Sequence, residues 1–123
     1  MPLEEIINRQ GIIISAPASG AGKTTVTLGL INAFARKGSV QPFKSGPDYI
    51  DSKFQSVAAD RPSYNLDTWA MSSSDILNMI GMVGPSDICI AEGSMGVFDG
   101  VISKGAGGNG STADLASITT WPV

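Results

Sequence analysis

A chain of 123 residues, 42% apolar and 15% charged, suffices for one modest domain with a real core and is too short for two large ones. Its net charge of −3 and the absence of any basic run remove the positive footprint that nucleic-acid binding requires. It contains no histidine, which excludes His-ligated metals, Ser-His or Cys-His nucleophile pairs and a histidine general base. Chemistry must come from carboxylates, lysines, hydroxyls, backbone donors and a metal ion.

No window reaches the ~18 to 20 apolar residues of a membrane span. The opening MPLEEIINRQ is acidic early and lacks the apolar core of a signal peptide. A lone cysteine, Cys89, cannot form an internal disulfide. No membrane partner, no nucleic-acid partner and a cytoplasmic location are therefore expected. Cys89 reads as a small buried strand residue rather than a reactive thiol.

In chain order, residues 1–10 read as a polar lead-in. Ile12, Ile13 and Ile14 then form an apolar strand of the kind buried inside a sheet covered on both faces. A small-residue turn follows, with Gly20, Ala21, Gly22, Lys23, Thr24 and Thr25. Glycines there allow successive backbone N–H groups to converge on phosphate oxygens, and the next helix points its positive end at the same anion. Lys23 would reach the β- and γ-phosphates, and the Thr24 hydroxyl would take a place on Mg²⁺. Pro17 stands where the usual phosphate loop has its first glycine.

A helix is expected from Lys23 to Lys37, with Val26, Leu30, Ala33 and Phe34 at helical spacing and Gly38 as its stop. Val40 to Lys44 reads as a second strand, with Pro42 suggesting an edge or a strand end. Gly46-Pro47 marks a turn, after which Asp51 could cap a short helix covering Phe54, Val57 and Ala58. Residues 60–68 read as a loop, with Tyr64 and Trp69 as packing or rim residues. Ser74 or Asp75 is the expected cap of a helix carrying Ile76, Leu77, Met79 and Ile80. Asp87 to Glu92 forms a third strand, followed by the Gly-punctuated loop Gly93 to Gly100. Residues 105–110 are expected to be flexible. Ser111 and Asp114 resemble a capping box opening a helix through Ile118, and Trp121-Pro122-Val123 looks like a turn into another strand.

Strands alternating with helices predict an α/β fold: a mainly parallel sheet with flanking helices, of the P-loop NTPase type. Ligands of such sheets bind outside the carboxyl ends of the strands. The loops at 17–24, 45–51 and 92–100 all follow strands and so gather on one edge. Phosphoryl transfer there needs cations around the γ-phosphate and acids holding Mg²⁺. Lys23 and Lys44 can supply the cations, while Thr24, Asp48 and Glu92 are hard oxygen donors suited to Mg²⁺. Each acid has an alternative: Glu92 as a solvated strand-end carboxylate, and Asp48 and Asp99 as turn residues.

The segments APASGAGKTTVTLGL, PFKSGPDYIDSKF, RPSYNLDTW, AEGSMGVFDG and GNGSTADLA, in this order, resemble the cobyrinate and hydrogenobyrinate a,c-diamide synthases of the dethiobiotin-synthetase-like P-loop group. The likeness covers about residues 11–123. It implies ATP- and glutamine-dependent amidation of two corrin carboxylates through an acyl phosphate, with ATP and Mg²⁺ as cofactors. It further implies that Gly20, Ala21, Gly22, Lys23, Thr24 and Thr25 cradle the phosphates. Thr24, Asp48 and Glu92 would hold Mg²⁺, and Lys44 would face the γ-phosphate. Tyr49 and Ile50 would lie beside the tetrapyrrole carboxylate, and Asp99 would position the substrate or intermediate.

Members of this group continue into a glutaminase domain of the Cys-His-Glu type, which a chain without histidine cannot contain. The sequence therefore reads as the truncated amino-terminal part of a synthetase domain, with ammonia supplied by a glutaminase domain outside it and a homodimer left open. Cobyric acid synthases resemble it in the P-loop but lack the GPDYID turn, and nickel-sirohydrochlorin a,c-diamide synthases share its motifs. Switch ATPases of the MinD and ParA type carry a signature lysine where this chain has Ala18.

Overall fold

The computed structural model of the chain describes residues 9–17, 22–47 and 50–123, apart from the Met95 side chain. The isoleucine run builds β1 (Gly11–Ala16), which pairs in parallel with β4 (Ile88–Gly96). On its other side β4 pairs with β2 (Val40–Ser45), and β2 pairs with the short β3 (Tyr64–Leu66). The sheet order is β1-β4-β2-β3, all parallel. Four helices complete the described elements: α1 (Lys23–Ala35), α2 (Asp51–Ala59), α3 (Ser73–Met82) and α4 (Thr112–Thr119). This is the α/β class that the alternation predicts. None of the described helices is long and apolar enough to cross a membrane.

Side chains alternate across a strand, and this divides the core in two. Ile13, Phe43, Cys89 and Ala91 face one way and join Ile76 and Ile80 of α3, Leu115 of α4 and Trp121. Val40 and Ile90 face the other way and meet Ile31 of α1 and Ala59 of α2. Lys44 and Glu92 share the parity of Val40 and Ile90, so both side chains emerge beneath α1 and α2. That parity is what builds the site.

Several local expectations change. The stretch 60–68 contains β3, because Tyr64–Leu66 finds the free edge of β2. Pro42 lies in an interior strand. The β2–β3 register begins only at Phe43, and the Pro42 carbonyl accepts the Gln41 side-chain amide at 2.9 Å. Glu92 does not end its strand, since β4 runs on to Gly96. The register breaks between Ile14↔Glu92 and Ala16↔Gly96, a bulge directly after the acid.

Helix faces differ most from the sequence pattern. In α1 the buried residues are Thr27 and Ile31, while Val26 and Phe34 are exposed. In α2 Phe54 and Val57 are 58% and 83% exposed, and Gln55 is fully buried. Asp51 is the first residue of α2 rather than its cap, a position held by Ile50. The cap of α3 is Ser72, whose hydroxyl accepts from Asp75 N at 3.1 Å while Asp75 accepts from Ser72 N at 3.1 Å. Ser111 caps α4 as expected, but Asp114 turns its carboxylate to Asn109 N at 2.7 Å, so only half of a capping box forms.

Beyond α4, Trp121 packs into the core with its ring centroid 6.1 Å from that of Phe43. The Pro122 carbonyl accepts from Ile13 N at 2.9 Å, along the side of β1 away from β4.

Candidate functional site

Parallel pairing sets Lys44 directly across from Glu92. Lys44 Nζ lies 3.9 Å from Glu92 Oε2 and donates to the Gly93 carbonyl at 3.2 Å. Their side chains are only 6% and 0% exposed. Burying two charges is costly unless further hydrogen bonds satisfy them, and both flanking helices supply these. Gly22 occupies the N-cap of α1 at φ 89°, a left-handed conformation that glycine adopts freely. It sets Thr24 in the first turn, where Thr24 Oγ1 donates to Glu92 Oε1 at 2.7 Å. From α2, Gln55 Nε2 donates to Glu92 Oε2 at 2.9 Å, and Ser63 Oγ donates to Gln55 Oε1 at 2.8 Å. Both carboxylate oxygens are thereby held.

Close approach of β4 to its neighbours requires a glycine after the acid. A Cβ on Gly93 would collide with Thr112 Oγ1 and come within 3.2 Å of the Ile14 carbonyl.

Lys23, half-buried at the start of α1, is held below the usual lysine range. Burial is the main cause and the neighbouring Lys44 ammonium the second, with Glu92 and Asp51 pulling the other way. Two crowded ammonium groups at a helix N-terminus are arranged for an anion. Among the described residues no cluster of three or more His, Cys, Asp or Glu could hold a metal. Mg²⁺ needs no such cage: it takes one or two protein oxygens and completes its octahedron with water and phosphate. The converging Thr24 hydroxyl and Glu92 carboxylate fit that requirement.

Beside this cluster opens a cavity of about 330 Å³, walled by Lys44, Ser45, Asp67, Trp69, Asp99 and Asn109 among others. Ser45 Oγ is buried and meets no hydrogen-bond partner among the described residues. Residues 105–110, expected to be flexible, instead form a hydrogen-bonded wall. Ala106 N donates to the Trp69 carbonyl at 2.9 Å, Gly107 N to the Thr68 carbonyl at 2.8 Å, and Gly110 N to Thr68 Oγ1 at 2.9 Å. The glycines are there because the two backbones approach so closely: a Cβ on Gly105 would strike the Trp69 carbonyl.

Of the residues singled out in the sequence, Gly20, Ala21, Asp48 and Tyr49 lie outside the described residues, as does Ala18. Gly22, Lys23, Thr24, Lys44 and Glu92 come together. Thr25 is exposed on α1. Asp99 lines the cavity and also closes a turn, accepting from Gly96 N at 2.9 Å. Ile50 is 72% exposed at the N-cap of α2 and is not part of the cavity wall. Gln55, Ser63 and Asp67 were not anticipated. Only the four-residue step from Asp51 to Gln55, one helical turn, hinted that Gln55 shares a face with the GPDYID turn.

The family described as CobQ/CobB/MinD/ParA nucleotide binding domain matches residues 12–114. Proteins named Hydrogenobyrinate a,c-diamide synthase are similar to the chain. The one from Rhodobacter capsulatus is 50% identical over 115 residues, that from Brucella ovis 47% over 117, and that from Agrobacterium fabrum 44% over 116. Each alignment covers 93% of this chain and 26% of the relative, so the chain spans about a quarter of the length of these proteins. No solved structure matches it. With the nucleotide-binding match running over most of its length, and with the Lys23, Thr24 and Glu92 cluster at the carboxyl edge of a parallel sheet, the chain belongs to the CobQ/CobB/MinD/ParA nucleotide-binding domain family.

Proposed function

We propose that this domain is the ATP-binding portion of a cytoplasmic enzyme that amidates the a- and c-side-chain carboxylates of a corrin precursor, hydrogenobyrinic or cobyrinic acid, in cobalamin biosynthesis. The observation that carries it is the double position of Lys44, which pairs with Glu92 and also lines the cavity. A carboxylate in that cavity would lie next to a γ-phosphate held by Lys23 and Lys44. The names of the relatives supply the choice of acceptor.

In this reading an acceptor carboxylate oxygen attacks the γ-phosphorus and the bond to ADP breaks, giving an acyl phosphate. Ammonia adds to the acyl carbon, phosphate leaves, and the nitrogen gives up a proton to yield the amide. Lys23 and Lys44 neutralise charge on the transferring group. Thr24 and Glu92, together with Asp48, would hold Mg²⁺, which supplies further charge neutralisation on the phosphates. Asp99 and Ser45, both lining the cavity, orient the acceptor, and Tyr49 and Ile50 would act on its carboxylate, as the family resemblance implies. Ammonia comes from glutamine hydrolysed in a domain outside these residues, consistent with a chain that contains no histidine.

The test is amidation by the full-length protein with ATP, glutamine and each of hydrogenobyrinic acid, cobyrinic acid and nickel-sirohydrochlorin, followed by mass spectrometry. Formation of a corrin diamide supports the reading. Amidation of nickel-sirohydrochlorin alone would reassign the acceptor. Nucleotide-dependent dimerisation without any amidation would assign a switch ATPase.

A further inference from the structure

Helix α2 presents an inverted face. It leaves Phe54 and Val57 in solvent and spends a fully buried position on Gln55. Burying a side-chain amide costs free energy unless its polar atoms are paired. Both are: Nε2 donates to Glu92 Oε2 at 2.9 Å, and Oε1 accepts from Ser63 Oγ at 2.8 Å. The amide has one workable orientation. An ionised carboxylate only accepts, so Gln55 must show it the NH₂ end, leaving its carbonyl for the serine hydroxyl. Ser63 is fixed in turn, its backbone N donating to Ser56 Oγ at 2.8 Å, and Ser56 Oγ donating to the Ser52 carbonyl at 2.8 Å.

This chain of bonds ends on the acid of the nucleotide site. Gln55 holds Oε2 while Thr24 meets Oε1 at 2.7 Å. Rotation of the Glu92 carboxylate would break one or both bonds, so its plane is set jointly by Gln55 of α2 and Thr24 of α1. Lys44, at 3.9 Å from Oε2, is too distant for a hydrogen bond and gives charge without direction.

We propose that Gln55 is a positioning residue that, backed by Ser63, orients the Glu92 carboxylate so that it and the Thr24 hydroxyl present oxygens together to the Mg²⁺ of a bound Mg-nucleotide. The inference rests on the reading of Glu92 as the metal-binding acid. Gln55 acts through Glu92. Partners that orient a metal-binding carboxylate raise metal affinity by about 10–100-fold.

The experiment is a Mg²⁺ titration of fluorescent ATP-analogue binding to the full-length protein, with metal-free nucleotide binding measured alongside. Gln55→Met keeps the length of the side chain and removes both hydrogen bonds. The Mg²⁺ concentration for half-maximal binding should rise roughly 10-fold, with metal-free affinity unchanged. Ser63→Ala, which releases the amide to flip, should shift it in the same direction by a smaller factor and carries the test if Gln55→Met does not fold. An unchanged Mg²⁺ midpoint in folded variants, or an equal loss of metal-free and metal-dependent binding, would overturn the proposal. Glu92→Gln in the same titration separates the two claims. If it leaves the midpoint unmoved, the reading of Glu92 fails; if it moves the midpoint and neither Gln55→Met nor Ser63→Ala does, only the role of Gln55 fails.

Discussion

Thr24 Oγ1 and Glu92 Oε1 are 2.7 Å apart, although 68 residues separate them in the chain. The bond ties the first turn of α1 to the middle of β4 and brings the helix N-terminus, the acid and Lys44 into one buried cluster.

Replacing Glu92 by Gln keeps the shape and removes the charge that faces Lys44. The ammonium is then buried with the Gly93 carbonyl as its remaining hydrogen-bond partner among the described residues. Breaking a buried pair from one side costs about 3–5 kcal/mol. Urea denaturation of Glu92→Gln should show a loss of that order, and Glu92→Gln combined with Lys44→Met should recover much of it. A single-variant loss below ~1 kcal/mol, the scale of an exposed pair, would mean that Lys44 does not depend on the acid.

Lys23 is held below its ordinary range by burial and then by Lys44. Phosphate bound between the two lysines would raise it again, so the nucleotide complex binds more protons than the free protein. Affinity should therefore be constant below the free-state pKa and fall as pH rises from there towards the bound-state pKa. In the free protein the unfolded chain binds more protons across the lowered window, so this group alone makes stability rise with pH there. Calorimetry at alkaline pH, in two buffers of different ionisation enthalpy, should show proton uptake on nucleotide binding that Lys23→Met abolishes. Proton release would contradict the assignment.

Gly93 allows β4 to pass against α4 and the end of β1. Gly93→Ala would drive a methyl group into Thr112 Oγ1, and Thr112 is itself fully buried. Overpacking of this kind costs about 1–3 kcal/mol. Thermal unfolding should reveal the loss, and Gly93→Ala with Thr112→Ala, which removes the clashing oxygen, should restore part of it. Equal melting temperatures for Gly93→Ala and the parent would show that the bulge has slack.

Cys89 is 1% exposed near the start of β4, and burial pushes its thiol above the ordinary range. Its native form keeps a proton that the unfolded chain loses, so this group's contribution to stability declines with rising pH. A thiol reagent at neutral pH should label the native protein slowly and the urea-unfolded protein quickly. Fast labelling without unfolding would place Cys89 in an accessible environment.

Much of the architecture was legible because its causes are local. Three adjacent isoleucines, a Gly-containing turn and a helix opening at Lys23 specify strand, loop and helix within a dozen residues. The alternation of such units then implies a parallel sheet. Lys44 and Glu92 could be assigned to one site from sequence because loops after parallel strands share an edge, but their direct pairing came only with the β2–β4 register. β3 was not legible: Tyr64–Leu66 is only three residues long and is a strand because the edge of β2 accepts it. The wall at 105–110 was not legible either, since its glycines serve contact with Thr68 and Trp69 across the fold.

The sequence by itself determined the class of fold, the order of its elements other than β3 and the residue types gathered at one edge, because strand period, turn chemistry and helix stops act over neighbouring residues. Tertiary structure alone decided which helix faces turn inward. Apolar spacing would bury Phe54 and Val57, yet α2 buries Gln55 to serve a carboxylate 37 residues further along the chain. A buried charge demands a directed donor more strongly than a helix demands a dry phenyl ring. That demand arises only when β4 has brought Glu92 beneath α2.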